Sequence, residues 1–142
     1  MVIAIDFDGT IVENKFPDIG EPLLFAFETL REMQKKNYRL ILWTCRHGKQ
    51  LEDAVEFCAS QGVQFYAINR NYPEQTDEDT AIAPKIFADL YIDDRSIGGF
   101  PGWSQVWQMI SNEPLLSKKD QYRRIKKSNS IFRKWFNKSK KN

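Results

Sequence analysis

The chain has 142 residues, 42% of them hydrophobic, enough for one domain with a real core and a terminal arm. Its net charge of +2 hides a division: residues 1–116 carry 10 Lys/Arg against 18 Asp/Glu, a net −8, whereas residues 117–142 carry 11 against one, Asp120, a net +10. No apolar run approaches bilayer-spanning length, and no basic stretch followed by a long apolar segment marks a leader; the expectation is a cytoplasmic protein without a transmembrane segment.

Residues 2–6 (VIAID) form a short β-branched run that ends in a turn at Asp8-Gly9, as expected for a buried strand. Residues 22–36 place Leu23, Leu24, Phe27, Leu30 and Met33 at helical spacing, with Pro22 suited to the first turn. A second buried strand is expected over 39–44 (RLILWT). A second helix is expected over 50–61, with Leu51, Ala54, Val55, Phe57 and Cys58 inward and Gly62 as its stop. Residues 63–68 read as a third strand, 69–83 as a polar acidic loop, 84–87 as a turn or short helix, and 88–93 (ADLYID) as a fourth strand. The Gly-rich turn IGGFPG then leads to a helix over 103–111. Strands alternating with helices predict an α/β protein, a three-layer α/β/α Rossmann-like core on a parallel sheet of four to five strands. The division expected is a core over 1–116 and a basic tail over 117–142.

Two cysteines, Cys45 and Cys58, are too few for a disulfide framework and lack metal-ligand spacing. Both are expected to be small buried thiols. His47, the single histidine, could serve Cys45 as a base, but nothing else in the segment suggests a thiol enzyme. Trp43, Trp103 and Trp107 are expected in the core.

Two strands end in acids, Asp6 with Asp8 and Asp93 with Asp94. In an open parallel sheet, chemistry gathers beyond the carboxyl ends of the strands. If the first and fourth strands are neighbours, four carboxylates converge. Crowded carboxylates stay ionised only around a cation, and an all-oxygen donor set favours Mg²⁺. Asp6 could touch the metal and attack phosphorus; Asp8 is suited to pass a proton to the leaving oxygen and take one from water. Gly9 lets the backbone pass close to a phosphoryl group.

Asp6-Phe7-Asp8-Gly9-Thr10, Thr44 closing LILWT, Lys85, and Asp93-Asp94 closing LYIDD resemble, in order and spacing, the four motifs of the haloacid dehalogenase superfamily. The likeness covers about residues 1–112 and is nearest to small, nearly capless bacterial members. It implies that Asp6 is nucleophile and metal ligand, and Asp8 general acid/base with its carbonyl on the metal. It also implies that Thr44 binds a phosphoryl oxygen, that Lys85 neutralises charge, and that Asp93 and Asp94 serve the metal. Gly9, Thr10, Thr44, Arg46 and Lys85 are the expected substrate contacts. Asp8 favours phosphate esters over halides, since an alkoxide leaving group needs a proton. The segments between motifs are too short for a cap domain, so the site should be open.

The resemblance implies a Mg²⁺-dependent phosphatase acting on small phosphate monoesters. The alternatives are a polynucleotide-end phosphatase tethered by its tail, and a binding module without turnover. Arg46 and Arg95 could each grip a second anionic group or pair with local acids. In the tail, Tyr122, Ile125, Phe132 and Phe136 recur at a helical period opposite Arg123, Lys126, Lys127, Arg133 and Lys134. Such a segment suits docking on the acidic core, a membrane surface or nucleic acid.

Overall fold

In the computed structural model, residues 1–79 and 82–111 are described. The strands are β1 (Val2–Ile5), β2 (Arg39–Leu42), β3 (Ala67–Ile68) and β4 (Leu90–Ile92), and the helices are α1 (Ala26–Lys35), α2 (Gly48–Ser60) and α3 (Trp103–Ser111). The chain divides into a compact unit Met1–Trp107 and a second unit Gln108–Asn142. The expected boundary at 116/117 and the whole amphipathic tail lie outside the described residues. No helix among the described residues is long and apolar enough to cross a membrane.

The four strands form one all-parallel sheet in the order β3-β2-β1-β4, a Rossmann-like α/β arrangement. A parallel sheet needs cover on both faces, so its central strands are apolar throughout. Ile3, Ala4 and Ile5 of β1 and Leu40, Ile41 and Leu42 of β2 are all buried. Alternation along the strands sorts them by face. Ala4, Ile41 and Ala67 share one face and cluster with Ile86, flanked by Val2, Trp43, Tyr66 and Ala88. Ile3, Ile5, Leu40 and Leu42 point the other way. Trp103 is buried, Trp43 packs at the core's margin, and the Trp107 ring lies 5.4 Å from the Lys36 ammonium.

α1 and α2 lie side by side. The rings of Phe27 and Phe57 meet edge to face at 5.7 Å, and Arg31 donates to the carbonyl of Gln61 at 2.7 Å. α1 begins four residues later than its apolar spacing predicts. Pro22 instead bridges Val12 in an antiparallel pair, Leu23 donates its amide to the Ile11 carbonyl, and Phe25 takes a left-handed conformation (φ 65°) just before the helix. Long-range pairing of 22–23 outcompetes the local helical preference, and Leu24 is left in solvent. β3 is shorter than its apolar run because pairing with β2 starts only at Tyr66, whose amide donates to the Leu40 carbonyl; the amide of Gln64 is taken by the Gln34 side chain instead.

Cys58 is buried, and burial pushes its thiol up to about 12, an inert packing group. Cys45 is exposed, contrary to expectation. It lies beyond the end of β2, where Arg46 rather than the thiol turns inward.

The shifted start of α1 has a measurable consequence. Leu30→Ala, at a fully buried position, is expected to cost about 2–5 kcal/mol in urea unfolding. Leu24→Ala, just outside the helix, is expected to stay within about 0.5 kcal/mol.

Candidate functional site

The site begins with one register. Ile5 of β1 stands opposite Ile92 of β4, and the ladder runs one step further because the Asp6 amide donates to the Ile92 carbonyl at 2.9 Å. The residues that follow the two strand tips, Asp6 on one side and Asp93-Asp94 on the other, are therefore brought together. Each offers a carboxylate oxygen, and these oxygens all lie within 4.8 Å of one another. Two oxygens sharing one Mg²⁺ at about 2.1 Å can be at most about 4.2 Å apart. Small side-chain rotations would thus close the three groups on a single ion, and an oxygen-only donor set suits a hard divalent cation.

Without a cation the three carboxylates repel. The Asp6 carboxyl is pushed up to about 6, first by burial and then by Asp93 and Asp94; a backbone hydrogen bond at Phe7 and the Thr10 hydroxyl act in the opposite direction. Thr10 ties the arrangement together. Its hydroxyl donates to Asp6 Oδ2 at 3.2 Å and accepts the Asp94 amide at 3.0 Å, and its carbonyl accepts Trp103 Nε1–H at 2.7 Å. Thr10 is wholly buried. Its hydroxyl thereby joins the two carboxylate-bearing loops.

Gly9 sits between those loops with φ +85°, where a side chain is strained. A Cβ there would also stand 2.3 Å from Asp94 Oδ2. The glycine is required by the close approach of Asp94 as well as by the turn.

Asp8 lies apart from the three-carboxylate cluster. Its side chain forms a bidentate pair with Arg46, Nε to Oδ2 at 2.8 Å and Nη2 to Oδ1 at 2.7 Å. Of the two roles left open for Arg46, ion pairing with a local acid is the one the structure contains. The residue is only 2% exposed, and its guanidinium is committed to these partners rather than presented to solvent. The Asp8 carbonyl accepts no hydrogen bond among the described residues.

Thr44 ends the tip of β2 half-buried, with its hydroxyl accepting the Arg46 amide at 3.2 Å. Its own amide donates to Asn69 Oδ1 at 2.8 Å. Asn69 follows β3 with φ 52° and was not identified from the sequence. The only sequence signal for it is the tolerance of asparagine for left-handed backbone. Arg95 is exposed, and its amide donates to Asp93 Oδ1 at 2.8 Å.

Lys85 packs against Tyr91. Its ammonium lies 5.3 Å from the centroid of the Tyr91 ring, exposed, with no ion pair to Asp6, Asp93 or Asp94. It precedes β4 in an irregular segment, so no strand or helix holds it at the tips.

Two outcomes test this geometry. A carboxyl whose folded pKa is raised favours the fold below its unfolded value, near 3.9, and loses that contribution as pH climbs through about 6. Asp6→Asn in metal-free buffer should therefore match the wild-type melting temperature at about pH 3.5. By pH 7.5 it should exceed it by roughly 3 °C, a figure discounted for the partial exposure of Asp6. Gly9→Ala should displace Asp94 and weaken Mg²⁺ binding at least tenfold in calorimetric titration, in step with a lower melting temperature.

No family model and no curated protein matches the chain. A solved structure, that of a conserved protein from Bacteroides thetaiotaomicron, superposes with a TM-score of 0.75 at 47% sequence identity, covering 86% of this chain and 97% of that one. At that identity and coverage, the chain belongs to the same family as the conserved Bacteroides thetaiotaomicron protein.

Proposed function

We propose that the protein is a Mg²⁺-dependent phosphatase of haloacid dehalogenase type, acting in the cytoplasm on small phosphate monoesters. The observation that carries this reading is the convergence of Asp6, Asp93 and Asp94 at adjacent strand tips, with oxygens within 4.8 Å. The ordered set Asp6-Phe7-Asp8-Gly9-Thr10, Thr44, Lys85 and Asp93-Asp94 supports it. Asp6, Asp93 and Asp94 would hold the ion, with the unengaged Asp8 carbonyl as a further donor. Bound there, Mg²⁺ would offset the charge of the carboxylates and of the phosphoryl group.

One oxygen of Asp6 attacks phosphorus, and the bond from phosphorus to the ester oxygen breaks. Asp8 supplies a proton to that leaving oxygen. Water then attacks the phosphorylated Asp6, Asp8 takes up its proton, and inorganic phosphate departs with the Asp6 carboxylate restored. Thr44 at the tip of β2 would donate its hydroxyl to a phosphoryl oxygen. Lys85 would leave the Tyr91 ring to neutralise charge at the phosphoryl group. No inserted domain occurs among the described residues, so the crevice would be open and selectivity modest.

Purified protein with Mg²⁺ should hydrolyse p-nitrophenyl phosphate, and chelation should abolish turnover. Asp6→Asn should reduce kcat by at least a thousandfold while the protein remains folded. Lys85→Ala should cost roughly tenfold to a hundredfold. Undiminished turnover by Asp6→Asn would rule out the covalent step.

A further inference from the structure

Of the described charged residues, Arg46 alone is buried, and its guanidinium spends four of its five donors on two separate segments. Two go to the Asp8 carboxylate. The other two go to backbone carbonyls of the loop over residues 13–20, Nη1 to Pro17 at 2.9 Å and Nη2 to Asp18 at 2.7 Å. The planar group is also flanked by aromatic rings, 5.0 Å from the Phe7 centroid and 5.3 Å from that of Phe16. Phe7 is fully buried beside Asp8, while Phe16 belongs to the loop and is largely exposed.

We propose that Arg46 is a positioning residue that couples this loop to Asp8, so that the seating of residues 13–20 and the orientation of the Asp8 carboxylate change together. The proposal rests on the reading of Asp8 as general acid/base, and it adds a control that the family motifs do not contain. Both Asp8 oxygens are engaged by the guanidinium. To meet a leaving oxygen, the carboxylate must give up at least one of them. That would leave a buried cation facing two carbonyls, which is strongly unfavourable unless the cation moves or gains solvent. The loop carbonyls bind the same planar fork, so a displaced guanidinium loosens the loop as well. At its base the loop is pinned by the Glu13 amide on the Glu21 carbonyl at 2.8 Å and by Gly20, where a Cβ would stand 2.1 Å from the Glu13 carbonyl oxygen. Movement is thereby confined to the segment that Arg46 holds.

The test pairs amide exchange with kinetics. Asp8→Asn keeps the size of the side chain and removes its charge, and it does not touch the loop. Coupling predicts that amide exchange across residues 13–21 speeds up by about tenfold in Asp8→Asn, and similarly in Arg46→Lys, which keeps the charge but loses the fork. In turnover, Arg46→Lys should lower kcat at least tenfold on an alkyl phosphate with little change in KM. The loss should be smaller, though not absent, on p-nitrophenyl phosphate, whose leaving group needs no proton but whose phosphorylated Asp6 still needs Asp8 to activate water. The same substitution in an Asp8→Asn background should cost little more. Unchanged exchange in both single variants overturns the coupling. So do equal losses on the two esters that add to those of Asp8→Asn, since a purely structural role would produce them. If the wild-type protein hydrolyses no ester, the phosphatase reading fails, and the exchange measurement alone decides the coupling.

Discussion

The parallel pairing of β1 with β4 brings like charges together, and much of the molecule is arranged around holding them there. Hydrogen bonds between the strands continue to the Asp6 amide, so Asp6 cannot drift from Asp93 without breaking the ladder. Burial first, and then the charges of Asp93 and Asp94, hold the Asp6 pKa above the usual carboxylate range. Three carboxylates held so close repel one another wherever they are ionised. In the proposed phosphatase, Mg²⁺ would meet that repulsion.

Two buried polar residues keep the loops around that cluster in place by different means. Thr10 works through a neutral hydroxyl that donates to one carboxylate while accepting the amide beside another. Because Trp103 binds the Thr10 carbonyl, the start of α3 is tied to the same point. Arg46 works through charge and plane. A lysine could neutralise Asp8, but it could not present two parallel donors to a carboxylate and two more to neighbouring carbonyls. Each residue leaves its own polar atoms satisfied, and no buried side-chain nitrogen or oxygen among the described residues lacks a partner. Such complete pairing is what a polar network beside a core must achieve to be stabilising at all.

The acidic residues that meet at the strand tips were legible because their types and order are constrained. Asp6 and Asp93-Asp94 close apolar runs, and the alternation of runs and amphipathic stretches announced a parallel sheet. The partners that position them were not legible. Arg46 read equally well as a substrate grip, since spacing along the chain says nothing about a side chain 38 residues away. Nothing along the chain showed that Thr10 would join Asp6 to the Asp94 amide 84 residues away. Asn69 has no pattern of its own, and the late start of α1 follows from pairing between Val12 and Pro22, which no local propensity encodes.

By itself the sequence determined the class of fold, the buried strands and the oxygen-rich character of the site, because burial periodicity and acid placement are local properties of the chain. Strand order was left to the tertiary structure, and with it the meeting of Asp6 with Asp93 and Asp94. So was the assignment of Asp8 to Arg46 and the placing of Lys85 over Tyr91. These are choices among long-range pairings, settled by which buried polar groups can be satisfied together once the sheet has closed.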